Sequence, residues 1–350
     1  MRIDEAPPPG WDDGLAFPTL TTAFARAART MGQRALFVSD GADRALVLLR
    51  CFPGPLVRLW TTRARVYVDA VRAEFLPALV QALRCLGVPY ARLGDSVWGL
   101  PPALGACDRM TTVTTHLMAF DATLGEGEAL ARMDPKSRSQ LRKSEREGVR
   151  VDELRDVDGL AELDALVDET RRRMHRRHVA SAVPPAFFHE VVREMVPRGD
   201  AVVLMARVRG RPLAAALFFV SPRRMSYYFG ASTRDRTLTV CNGPTALFWH
   251  AMRLARARGI PSFDLGAVTP TDDPTHPHHS VYRFKRGFGG RLETVCSAEL
   301  RLSPLKCRFQ EAVVLPAWTR LYPYYLRLTA RRTVLPPVLP LDDPVRDPVA

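Results

Sequence analysis

Tyr282-Arg283-Phe284-Lys285-Arg286-Gly287-Phe288-Gly289-Gly290-Arg291 is the stretch on which the reading of the chain turns. A lone lysine sits among arginines and aromatics, and the glycines behind it allow close backbone approach or positive φ. By composition the stretch predicts a loop shaped for bound anions, followed by a strand over 292–300. The lysine is informative because of its rarity. Of 50 Lys and Arg residues only Lys136, Lys143, Lys285 and Lys306 are lysines. Lysine is a compact point charge, whereas arginine is a planar fork, and a compact charge suits an oxygen that turns negative during acyl transfer. A solvated basic turn is the competing reading, and charge and glycine content do not separate the two.

The 350 residues are enough for two domains at roughly 150 residues each. Hydrophobic and charged contents of 47% and 25% are those of an ordinary globular protein, so a packed core is expected. The net charge of +13 favours polyanionic partners: tRNA, nucleotide diphosphates or an anionic lipid surface. An arginine-rich composition with no nucleic-acid role fits the same number. Cys51, Cys85, Cys107, Cys241, Cys296 and Cys307 are widely spaced without a C-x-x-C pair, and are expected to be reduced, buried thiols. Residues 1–10 lack the basic start and apolar core of a signal peptide. No apolar run reaches the roughly 18 residues a bilayer span needs. The expected location is the cytoplasm, with any membrane contact peripheral.

Along the chain, apolar periodicity predicts a helix over 19–31, strands over 35–38 and 45–49 joined through Asp40-Gly41, a strand over 65–68 and a helix over 73–86. The second half follows the same order. Helices over 160–174 and 185–196 lead to strands over 201–208, 213–220 and 225–229, then a helix over 244–258 and a strand over 262–265. Cys85-Leu86-Gly87-Val88-Pro89 and Ala257-Arg258-Gly259-Ile260-Pro261 hold equivalent places, a glycine helix stop with proline beyond, which suggests duplication of an α/β unit. Between the halves, Asp134-Pro135 opens a basic helix carrying Lys136, Arg142 and Lys143 and closed by Gly148. A solvated face is the plainer account of those charges. The organisation expected is a disordered start over 1–14, an N-terminal domain over 15–133, a basic junction helix over 134–150, a C-terminal domain over 151–303, amphipathic C-terminal helices over 304–332 and a proline-rich, disordered tail over 333–350.

Several local patterns then align in order and spacing: the basic helix, Thr170-Arg171-Arg172-Arg173, Tyr227-Tyr228-Phe229-Gly230-Ala231-Ser232, Asn242-Gly243-Pro244-Thr245, Phe263-Asp264-Leu265-Gly266 and the Phe-Lys-x-Gly-Phe-Gly segment beginning at Phe284. From about residue 136 to 295 they resemble the Fem family of aminoacyl-tRNA-dependent peptidyltransferases, which build peptidoglycan cross-bridges, within a wider group of acyltransferases of GNAT-like fold. The resemblance implies an α/β fold of two tandem GNAT-like domains without a helical-arm insertion. It implies catalysis by Lys285 with Phe284 beside it, and acceptor-phosphate binding by Arg173, with Arg177 as the runner-up. Tyr282, Arg283, Arg286, Asn242 and Tyr228 are the further substrate-binding candidates. Lys136, Arg142 and Lys143 are the candidates for contact with tRNA.

The reaction expected is aminolysis of an aminoacyl ester, with Lys285 stabilising the oxyanion, no metal, and aminoacyl-tRNA as co-substrate rather than a bound cofactor. Asp264 is a candidate general base, with bonding to nearby backbone as its plainer role. The histidines His276, His278 and His279 have no cysteine or carboxylate at ligand spacing. Thr239-Val240-Cys241-Asn242-Gly243 lacks the glycine-rich pattern that would cradle a coenzyme A pyrophosphate. Two further functions remain open: an N-acyltransferase with a thioester donor, acting on a polysaccharide or small-molecule amine, and a non-catalytic RNA-binding protein.

Overall fold

Continuous apolar runs, buried on both faces, build the central strands of the first sheet. The computed structural model describes residues 1–50, 62–69, 72, 74–94, 110–176, 183–314, 316–317 and 320. They fall into two units, the first drawn from Met1–Thr114, His178–Phe187 and Val295–Pro340, the second from Thr115–Arg177, Phe188–Thr294 and Leu341–Ala350. The division therefore does not follow the expected boundaries at 133, 150 and 303. Each unit takes strands from distant parts of the chain.

In the first unit, β1 (Arg2–Asp4), β2 (Arg34–Asp40), β3 (Asp43–Arg50) and β4 (Arg63–Asp69) pair antiparallel in sequence order, and β5 (Tyr90–Leu93) lies parallel to β4. Residues 298–301 close the sheet antiparallel to β5. One helix, α1 (Thr22–Thr30), is N-capped by the Thr21 hydroxyl, which accepts from the Phe24 N–H. The other, α2 (Phe75–Cys85), supplies Phe75, Leu79 and Leu83 to a core shared with Val66, Val68, Leu93, Ala298 and Leu300. Burying such an apolar stripe is what holds a helix on a sheet. The start of the chain is ordered, contrary to expectation. Ile3 pairs with Val38, and Trp11 is buried on Phe37 with its indole N–H donating to Leu20 O. The proline-rich composition of 7–9 concealed this, because one buried indole holds the segment. The thiols also differ from expectation. Cys241 and Cys307 are buried, but Cys85 and Cys296 are exposed, and Cys51 and Cys107 lie outside the described residues.

The second unit uses β6 (Met110–Asp121), whose share of the unit begins at Thr115, then α3 (Glu126–Arg132), α4 (Pro135–Arg146), β7 (Arg150–Glu153), α5 (Leu160–Arg176) and α6 (Pro185–Glu190), whose share begins at Phe188. It continues through β8 (Ala201–Val208), β9 (Arg211–Val220), β10 (Arg224–Ser232), α7 (Arg236–Thr239), α8 (Gly243–Ala257), β11 (Ser262–Val268), α9 (His279–Arg286) and the start of β12 (Arg291–Arg301). The sheet order is β7-β8-β9-β10-β11-β6. All neighbours are antiparallel except β10 and β11. Asp134 caps α4 by accepting from the Ser137 N–H, as its position before Pro135 predicts. The two helix stops have the same geometry: Gly87 (φ 71) and Gly259 (φ 68) each donate to the carbonyl three residues back, and Val88 and Ile260 each donate five residues back. This is the left-handed glycine cap that the repeated pattern predicts.

One expectation fails where it matters most. Tyr282 to Arg286 is not loop but the end of α9, and Tyr282, Lys285 and Phe288 are buried at a three-residue spacing. A lysine in the buried stripe hid the helical period from a polarity reading. Phe288 locks this helix down by packing on Phe248 and Phe284 at ring separations of 5.8 and 5.3 Å. Of the expected C-terminal helices, α10 (Pro304–Phe309) and one wide turn, Gln310–Val314, are described. Most of 315–332 and all of the 333–350 tail lie outside the described residues. Among the described residues the longest helix has 17 residues, and none is long and apolar enough to cross a membrane.

Phe288→Ala should cost about 3–5 kcal/mol, the usual loss for a buried aromatic truncated to a cavity, measured by denaturant unfolding. A loss below about 1 kcal/mol would mean that α9 is held by something other than this aromatic cluster.

Candidate active site

The site arises where two neighbouring strands part. β10 and β11 pair over only Arg224↔Ser262, Met225↔Phe263 and Ser226↔Asp264. Beyond that, β10 follows β9 out to Ser232 and β11 follows β6 out to Val268. Irregularities sit on both sides of the split, between Tyr227 and Phe229 in β10 and between Asp264 and Ala267 in β11. Local register breaks bend strands and re-aim side chains. The resulting wedge opens into a cleft of about 410 Å³. Ala214, Ala215 and Ala216 of β9 with Gly230 and Ala231 of β10 form one wall, and Leu247, Phe248, Phe284 and Lys285 of α8 and α9 form the other. A second hollow of about 300 Å³ shares Ser232, Arg234, Pro244 and Phe284 with it and reaches Gln140, Thr239 and Asn242.

Lys285 is the buried charged group lining the wedge, and Arg234 lines it as an exposed one. It is 6% exposed, its Nζ donates to Ala267 O at 2.8 Å, and it lies 5.3 Å from the centre of the Tyr227 ring. Burial pulls its pKa down to about 8, opposed by the charge of Asp264. Asp264 is fully buried, and burial pushes its carboxyl up to about 6, opposed by the Gly266 N–H and by Arg224 and Lys285. At neutral pH both are predominantly ionised. Tyr227 is driven to about 12 by burial alone, so it stays a phenol. Gly266 has φ +84, and a Cβ there would stand 2.9 Å from the Tyr227 ring and 3.2 Å from Lys285 Nζ. The glycine is required by both its backbone and its neighbours.

The remaining sequence-derived candidates are distributed unevenly. Phe284 lines both hollows, and Asn242 lines the smaller one in a left-handed conformation (φ 56), its side-chain amide donating to Val240 O. Arg173 is partly buried and donates to the carbonyl of Ser232, which lines the cleft, and to the Thr170 hydroxyl. Arg177 lies outside the described residues. Tyr282 is buried in the core, Arg283 is exposed, and Arg286 is exposed and paired with Asp272 at 3.2 Å. Tyr228 packs on Phe219 at 4.7 Å, while Tyr227 is the tyrosine that faces the cleft. Lys136 and Arg142 are exposed on α4 and Lys143 is partly buried; the α4 residue that lines a hollow is Gln140. Reading the sequence missed Tyr227 and the alanine wall. The Ala-Ala-Ala run in a strand of large apolar residues was the available signal, since small residues in a sheet interior mark where something else approaches the backbone. Among the described residues no group of three His, Cys, Asp or Glu side chains comes together as a metal-ligand set.

Residues 135–286 match a family described as the acetyltransferase (GNAT) domain. The chain is similar in fold to FemX, with a TM-score of 0.62 at 14% identity, over 83% of this chain and 93% of that one. It is likewise similar to the C-terminal domain of a putative lysylphosphatidylglycerol synthetase from Agrobacterium fabrum, with a TM-score of 0.56 at 17% identity over 84% of this chain and 92% of that one. L-PGS from Bacillus licheniformis gives 0.54 at 13% identity, over 80% and 88%. No curated protein sequence matches the chain. The fold is therefore the expected α/β arrangement of GNAT-like type, and the matched segment ends on the helix that carries Lys285.

Lys285→Met, which keeps the length of the side chain without its charge, leaves Ala267 O without its donor and Asp264 without an opposing charge, so the melting temperature at pH 7 should fall by several degrees and fall less at pH 5, where Asp264 is protonated. An unchanged melting temperature at pH 7 would mean that Lys285 and Asp264 do not offset one another's burial.

Proposed function

We propose that the chain is an acyltransferase that moves an amino acid from aminoacyl-tRNA to an amine-bearing acceptor, a peptidoglycan precursor peptide. The observation that carries this reading is the buried ammonium of Lys285 at the point where β10 and β11 separate. The acceptor amine attacks the ester carbonyl of the donor and the carbonyl oxygen becomes negative. An N–H of Lys285 stabilises that oxygen. Collapse of the tetrahedral species breaks the ester C–O bond, leaving an amide on the acceptor and a free hydroxyl on the tRNA, which takes up the proton that the amine loses. A fixed donor in a dry cleft is worth more than one in water, and orientation of the two substrates contributes further.

Three features support this donor over coenzyme A. The first turn of α8 offers few N–H groups for a pyrophosphate: Pro244 has none, and those of Thr245 and Ala246 turn onto Asn242 O. Lys136 and Arg142 on α4 are exposed, and the net charge of +13 suits a polyanion. The name of the lysylphosphatidylglycerol synthetase neighbours is itself that of aminoacyl-group chemistry. The match to the acetyltransferase family supports a second reading, an N-acyltransferase with a thioester donor.

The deciding experiment follows radiolabelled amino acids from a charged tRNA pool to peptidoglycan precursor. Transfer should vanish when the pool is treated with RNase and fall about 10²- to 10³-fold in Lys285→Ala, the usual cost of losing one oxyanion donor. If product forms from an acyl-CoA panel and none forms from charged tRNA, the thioester reading replaces this one. In the wild type, transfer should decline as pH rises through about 8, where Lys285 loses its proton. Arginine does not deprotonate in that range, so in Lys285→Arg whatever activity remains should lack this decline. A limb that persists in that variant would assign it to another group.

A further inference from the structure

We propose that Asp264 is the positioning residue of the site: its carboxylate both shapes the turn that docks Lys285 and sets a buried negative charge at the same split in the sheet. The use of Lys285 in transfer rests on the reading above, but the placement of Asp264 does not.

The first part of the argument is geometric. Asp264 Oδ1 accepts from the Gly266 N–H at 2.7 Å, a side chain reaching two residues along its own backbone. Such Asx-type bonds fold the chain locally in place of a ladder bond. Here the fold is the left-handed turn at Gly266, within the register break between Asp264 and Ala267. The turn presents Ala267 O to Lys285 Nζ.

The second part concerns the other oxygen. Among the described residues, Asp264 Oδ2 is buried with no hydrogen-bond partner, and so is the hydroxyl of Ser226, the residue in register with it on β10. A buried carboxylate oxygen in that condition is expensive, and native structures retain such groups mainly where their charge is used. The surroundings are few. β10 presents Ser226 and Arg224, and Arg224 is itself paired with Glu293 of β12 at 2.7 Å. β6 presents Ala119 in register, and α9 presents Lys285. Arg224 acts on Asp264 as well, more strongly than Lys285 does, but the charge that opposes burial at Lys285 is that of Asp264. Asp264 opposes the effect of burial on the lysine, and Lys285 does the same for the aspartate.

The scarcity of lysine makes a direct test practical, because protein labelled with 13C-lysine gives signals from Lys136, Lys143, Lys285 and Lys306 alone. Lys285→Arg assigns the signal of interest. In the wild type the Lys285 Cε resonance should titrate near 8 and carry a smaller step near 6 as Asp264 takes up its proton. In Asp264→Asn the amide oxygen can still accept from Gly266, so the turn survives without the charge. The step should vanish and the main titration should fall by about one pH unit, the effect of removing a nearby opposite charge. Asp264→Glu should restore part of the shift. An unchanged midpoint in folded Asp264→Asn would overturn the proposal. Should that variant fail to fold, a wild-type titration without the step near 6 overturns it equally. In the transfer assay Asp264→Asn should lower kcat and leave KM unchanged. A protein that shows the coupling but takes nothing from tRNA would leave this inference standing and remove the functional reading.

Discussion

Two adjacent strands that stop pairing after three residues leave backbone groups that neither strand can satisfy for the other. Buried N–H and C=O groups are almost always paired, so a split of this kind persists only where something else fills it. Here Lys285 takes Ala267 O, Asp264 takes Gly266 N–H, and Tyr227 covers the join. The arrangement depends on size as well as charge. Gly266 leaves room for the ammonium and the ring, and the run from Ala214 to Ala216 leaves the opposite wall low. Aromatic packing keeps the wedge open. Phe218, Phe248, Phe263 and Phe288 form one cluster under it, and α8 and α9 are fixed to the sheet through that cluster.

On the proposed reading, the chemistry follows from this break in pairing. A lysine in water would be a solvated cation of little catalytic use. The same side chain, desolvated and tied to one carbonyl, is on the proposed reading a fixed donor, and the charge of Asp264 opposes the effect of its burial. Keeping two ionised groups buried lowers stability, as active sites commonly do. The cost is confined to a small region, because the surrounding core, Val202, Leu204, Ala216 and Phe218 among it, is apolar and buried.

Much of the fold was legible in the sequence because it follows local rules. The Asp40-Gly41 turn, the proline at the start of α4 and the paired glycine helix stops each act within a few residues. What sequence reading missed follows from contacts made at a distance. Thr111-Thr112-Val113-Thr114-Thr115 is a β-branched run that marks β6, yet its place beside β11 is set by a strand some 150 residues later. Lys285 was visible as a residue of interest from its rarity, but its burial, which hides α9 from a polarity pattern, is a property of the folded chain. Asp264 was legible as a strand-end carboxylate that bonds to nearby backbone, as it does to the Gly266 N–H. Its orphaned oxygen was not, since burial and partnership are tertiary facts.

The first unit takes its last strand from residues 298–301, more than two hundred residues after β5, against which that strand lies. A chain made from its N-terminus therefore carries β1 to β5 through most of its synthesis with the outer edge of β5 uncovered, and with Ala298 and Leu300 still missing from the core that α2 helps to form. Loop closure over such a distance is slow, and an open strand edge invites wrong partners. On the ribosome, the two halves cannot mature one after the other as independent beads. The unit made first is among the last to be finished, and neither half is a natural fragment to express alone.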